Sequence, residues 1–203
     1  MENRSNYFII ILSFFHLIGL VIYLQFPEMV SLTALNILLC GLLVFINRKP
    51  LWDDTIVLFI ICIGGLIIEM VGVHTGYLFG NYAYRSALGT KIFDTPIIIG
   101  LNWYVIVASS SSLISKFNCS RILKAIIAGA LSTLLDVLIE PVAINFDFWS
   151  WTDSHIPIWN YVCWFIFSTT FAYIFLKYQR EGNKTASVLY FIWLIFFGVL
   201  NFV

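Results

Sequence analysis

Three acidic side chains stand where an otherwise apolar chain has little use for charge. Glu69 closes an apolar run at 56–68 and opens the stretch EMVGVHTGYLFGNYAY at 69–84. Asp136 and Glu140 lie four apart in DVLIEPVA at 136–143, so one helix face carries both, with Thr133 one turn earlier. Pro141 follows and removes a backbone hydrogen bond, so a kink is expected there, with the Val137 carbonyl free to face a polar cavity. A carboxylate at the centre of a membrane helix costs roughly 2.5–3.5 kcal/mol, and without a cation in the spans to pair with it, its presence points to function. Three acids in one poorly solvated pocket cannot all ionise, because desolvation and mutual repulsion favour a neutral member. Such a pocket holds a proton donor, carboxylates able to orient water, and aromatic faces that favour cations. That suits protonation of an electron-rich double bond in a lipid, followed by capture of the cation by water. It equally suits a proton relay in a carrier, and spacing alone does not separate the two.

The candidate partners are polar or aromatic. Asn102 and Trp103 end PIIIGLNW at 96–103, and Asn160 and Trp164 belong to IPIWNYVCWF at 156–165. Trp151 closes the WSW at 149–151, and His74, Tyr77, Tyr82 and Tyr84 follow Glu69 closely. Trp149 and Trp159 are expected in an interfacial belt. Gly72, Gly76 and Gly80 have the four-residue spacing of a helix face that approaches a neighbouring backbone.

The elements that must position these groups are membrane helices. Of 203 residues 61% are hydrophobic and only 11% charged, which leaves too little polar surface to cover a soluble domain. We expect one integral membrane domain over 1–203, all-α, a polytopic bundle of about seven transmembrane helices. The apolar stretches lie at about 7–25, 30–46, 56–74, 96–115, 122–144, 157–178 and 186–203. The first is read as a retained span, since no small-residue cleavage signature follows it. Residues 75–95 are too polar to span and are expected to form a loop that dips back onto the bundle. The serines at 109–112 are expected to serve tight packing.

Basic residues orient the bundle. With the N-terminus cytoplasmic, that side receives Arg4, Arg48, Lys49, Lys116, Arg121, Lys124, Lys177, Arg180 and Lys184, against only Arg85 and Lys91 opposite. This agrees with the positive-inside rule and sends the C-terminus to the non-cytoplasmic side of a plasma (inner) membrane. The three acids, Asn102 and Asn160 then fall in the non-cytoplasmic half, where the loop at 145–156 adds Asp147, Trp149, Trp151, Asp153 and His155.

Other chemistries find little support. Formal net charge is zero, which offers nucleic acid no basic surface. His16, His74 and His155 form no HExxH or HxxxH pair, and the four cysteines form no paired motif, so neither a metal site nor a disulfide framework is expected. His16 is read as a packing histidine. GxSxG, a phosphate-cradling glycine loop and an Asp-rich diphosphate motif are absent from the sequence.

EMVGVHTGYLFGNYAY, Leu88–Gly89, PIIIGLNW, DVLIEPVA, WSW and IPIWNYVCWF, in this order, resemble the carotenoid biosynthesis membrane protein family over about 69–165. Its characterised members are carotenoid hydratases acting on bisanhydrobacterioruberin or on gamma-carotene and lycopene ends. The resemblance implies cofactor-independent addition of water across the terminal isopropylidene double bond, leaving a tertiary hydroxyl. The expected partners are a lipophilic carotenoid entering sideways from the bilayer and other carotenoid enzymes. For that reaction we assign Asp136 or Glu69 as proton donor and Glu140 as the group orienting water, with Asn102 and Asn160 positioning. Tyr77, Tyr82, Trp103, Trp151 and Trp164 are expected to shield the cation, and His74 to join them in binding substrate. A proton-coupled carrier or a lipid-binding module using the same carboxylates is the alternative, and a scaffold for pigment enzymes a third.

Overall fold

The computed structural model describes residues 2–47, 52–152, 155–178 and 182–202; Arg48, Lys49, Asp153 and Arg180 lie outside them. The protein is an all-α bundle. Its helices are α1 (Glu2–Gln25), α2 (Thr33–Ile46, entered through a 3-10 turn at Pro27–Leu32), α3 (Trp52–Thr75), α4 (Ile98–Ile114), α5 (Arg121–Asn145), α6 (Ile158–Tyr178) and α7 (Lys184–Leu200). Among the described residues five segments are long and apolar enough to cross a membrane: Asn3–Gln25, Pro27–Ile46, Trp52–Thr75, Arg121–Asn145 and Ile158–Tyr178. A helix satisfies its own backbone in lipid, which is why such runs become helices. Their outer faces carry Ile10, Phe14, Leu35, Leu38, Phe59 and Ile63 exposed, as a multi-pass membrane protein requires.

Helices α4 and α7 have 17 residues each, about 26 Å at 1.5 Å per residue, the lower limit for a span. Helix α4 runs through the middle of the bundle, against α2, α3, α5, α6 and α7. Trp103 to Ser112 are buried without a break, serines included. Ser110 bonds back to Ile106 O (3.0 Å) and across to Ser132 Oγ of α5 (2.8 Å), so the serines let the helices close up. Gly65 of α3 seats Trp103: a Cβ there would stand 2.6 Å from the indole Cγ. Helix α5 continues through Pro141, and Val137 turns to the bundle's outside, 40% exposed.

The segment after α3 folds back onto the bundle as two short ladders. The helical face expected of the glycines stops at Gly72, because α3 ends at Thr75 and Gly76 and Gly80 take positive φ (66° and 121°) in the turn that follows. Strand β1 (Tyr82–Tyr84) then pairs antiparallel with β4 (Trp149–Trp151), with Tyr82 opposite Trp151 and Tyr84 opposite Trp149. Strands β2 (Lys91–Ile92) and β3 (Thr95–Pro96) form a hairpin whose turn residues Phe93 and Asp94 both have positive φ, as a type I′ turn requires. Thr95 and Pro96 thus belong to this ladder, and the fourth helix begins two residues later than its apolar run.

Candidate active site

Helix α5 brings Asp136 and Glu140 to one buried face, as four-residue spacing dictates, and α3 brings Glu69 from across the bundle. All three line one cavity of about 20 Å³, with Phe79, Tyr82, Tyr84, Ile99, Asn102, Trp149, Trp151, Asn160 and Trp164. That is room for about one water.

The β1–β4 ladder supplies the donors. Bonds from Arg85 N to Phe148 O (2.9 Å) and from Thr152 N to Asn81 O (3.0 Å) flank the strands. By antiparallel alternation Ala83 and Ser150 form the hydrogen-bonded pair, and the aromatic pairs on either side are the close, non-bonded ones. Period two turns all four rings to the same face, so two hydroxyls and two indole N–H groups reach inward together. Tyr82 and Tyr84 donate to Glu69 Oε2 (2.5 and 2.8 Å), while Trp103 Nε1 donates to Oε1 (2.9 Å). Trp149 and Trp151 donate through Nε1 to Glu140 Oε2 (3.0 and 2.9 Å). Asn160 Nδ2 serves both acids of α5, Glu140 Oε1 at 3.2 Å and Asp136 Oδ2 at 2.9 Å. Burial, and then the facing Glu69 carboxylate, hold both phenols well above their ordinary value, so each remains an O–H donor.

The hydrogen bonds divide the acids unequally. Glu69 and Glu140 each accept from three donors, and bonds of that kind favour a carboxylate over its acid. Among the described residues Asp136 accepts from Asn160 alone. It is therefore the carboxyl best suited to carry a proton. The donors around the three acids are all neutral side chains. Two phenols, three indoles and an amide leave any anion here uncompensated by a cation and ready to stabilise one that forms. Trp103 and Trp164 stack at 4.0 Å between ring centres, 10° from parallel, and close the wall.

The structure brings together Glu69, Asp136, Glu140, Tyr82, Asn102, Trp103, Trp151, Asn160 and Trp164. It leaves out two residues expected beside them. Tyr77 is 81% exposed, and His74 caps the end of α3, bonding Met70 O and facing Asp94. Tyr77 follows the point where the helix ends and the chain swings outward, and His74, in the last turn of α3, sits on its exposed side. Trp149, expected in an interfacial belt, donates to Glu140 instead, while Trp159 stays on the surface with its indole on Tyr77 O. Trp149 is the functional candidate missed, and the alternation in WSW, which puts it on the face of Trp151, is the signal that could have found it.

No curated protein and no solved structure matches the chain. The model of the family described as carotenoid biosynthesis protein matches residues 9–203, far beyond the six motifs and through every helix that walls the chamber. A buried acid-and-aromatic chamber in an all-α membrane bundle, matched over nearly its whole length, places this chain in the carotenoid biosynthesis protein family.

Proposed function

We propose that the protein is a cofactor-independent hydratase that adds water to the terminal isopropylidene double bond of an acyclic carotenoid end. Asp136 gives its proton to the less substituted alkene carbon and becomes a carboxylate, leaving a tertiary cation on the neighbouring carbon. The ring faces of Trp151 and Trp164 and the anions of Glu69 and Glu140 stabilise that cation. One water, held against Glu140, bonds through oxygen to the cation and passes a proton to Glu140. Transfer of that proton to Asp136, which shares Asn160 with Glu140, restores the starting state. The sum is alkene plus water giving a tertiary alcohol.

The observation that carries the reading is the unequal hydrogen bonding of two carboxyls on one amide beside a water-sized space. Family membership supplies the carotenoid. The test is expression in a host that accumulates lycopene or gamma-carotene, with pigments analysed by mass spectrometry. A product heavier by one water is expected. An unchanged pigment profile from well-folded protein, with several acyclic-ended substrates, overturns the proposal.

A further inference from the structure

A second and larger cavity, of about 250 Å³, lies between α1, the 3-10 turn, α2, α4 and α7. The polar groups in its wall are largely turned on one another. His16 Nδ1 donates to Leu12 O (2.7 Å), which leaves Nε2 to accept from Trp193 Nε1 (2.8 Å), and the Tyr23 hydroxyl pairs with Thr33 Oγ1 (2.7 Å). What faces the space is mostly hydrocarbon, with no Asp, Glu, Lys or Arg in the lining, so a charged headgroup would find no counter-charge there. Its mouth is on the bundle's side: Phe15, Met29, Leu32 and Leu35 line it and are also exposed on the outer surface, Leu35 by 62%. Its inner end meets the acid chamber, because Ile99, Asn102 and Trp149 line both. Among the described residues the Asn102 amide has no hydrogen-bond partner, so it is free to act at that junction.

We propose that this cavity seats the last two isoprene units of a polyene chain, which enters sideways between α1 and α2 and presents its terminal double bond at Asn102 and Trp149. The reason for the chain end to travel there rests on the hydration reading. An apolar cavity of 150 Å³ takes one benzene, so about 250 Å³ takes about ten carbons. The remainder of a forty-carbon chain stays in the lipid. Recognition is therefore confined to one end, the far end is unread, and the two ends of a symmetric substrate are taken separately.

The test reads binding, not turnover. The protein is purified from a lycopene-accumulating host, and retained pigment is measured by absorbance. Wild type is expected to retain lycopene, and an acyclic twenty-carbon chain to displace it as well as a forty-carbon one does. Gly19→Leu fills the cavity from α1, where an added Cβ would stand 3.2 Å from the Phe196 ring, and is expected to retain about tenfold less. Leu35→Trp narrows the mouth from a lipid-facing position that the fold does not depend on, and should act likewise. A ten-carbon isoprenoid probe bearing a diazirine is expected to label peptides of α1, α2 and α7 in the wild-type protein. Even labelling over the whole outer surface, or undiminished pigment in both folded variants, overturns the proposal. If pigment retention follows the cavity variants but no hydrated product forms in any host, the seat stands and the hydratase reading falls. If hydrated product forms while the variants change nothing, the reverse holds.

Discussion

Asp136 and Glu140 differ in what their oxygens accept, and that difference is open to measurement. Asp136→Asn keeps the shape and the Asn160 neighbour but has no acidic proton to give. Hydrated product is expected to fall by about 10²–10⁴, the usual worth of a positioned general acid, with the protein still folded. Glu140→Gln should lose activity as well, and it also sets an amide N–H against a donor, either the indoles or the Asn160 amide, so its stability should drop. Tyr84→Phe removes one of three donors from a buried carboxylate. The expected cost is about 1–3 kcal/mol, seen as a lower thermal midpoint in detergent. Tyr77→Phe, at an exposed ring, should change neither stability nor pigment.

At the level of elements, the β1–β4 ladder is what joins the two halves of the chamber, since its one face holds Glu69 and Glu140 at once. Ser150→Pro takes an N–H from the hydrogen-bonded pair at its centre. The helices make few demands on that strand, so the bundle should persist while hydrated product is lost, checked by far-ultraviolet circular dichroism alongside pigment analysis. Helix α3 supplies Glu69 and also seats the Trp103 indole against Gly65. Gly65→Val pushes against the Trp103 indole, costing about 1–3 kcal/mol by overpacking and breaking the donor to Glu69 Oε1. Activity and thermal stability are then expected to fall together, which distinguishes it from the Ser150 change.

For the whole molecule, the skew of basic residues proposes an orientation: N-terminus cytoplasmic, C-terminus and acid chamber towards the opposite side. A C-terminal alkaline phosphatase fusion is expected to be active and a C-terminal green fluorescent protein fusion dark; the opposite pattern inverts the molecule. The sequence by itself determined that this is a helical membrane bundle, and it singled out Glu69, Asp136 and Glu140 as acids in apolar runs. Both follow from solvation, because apolar runs must close their own backbone bonds and a carboxylate in lipid is too costly to keep without use. It also made Asp136 and Glu140 neighbours, since helical spacing is local. Tertiary structure alone decided which donors each acid receives. Tyr84 and Trp149 enter the chamber, and His74 and Tyr77 stay out, through the register of strands separated by more than sixty residues and the point at which α3 stops. Those choices depend on how distant segments pair, and periodicity within one segment carries no record of its partner.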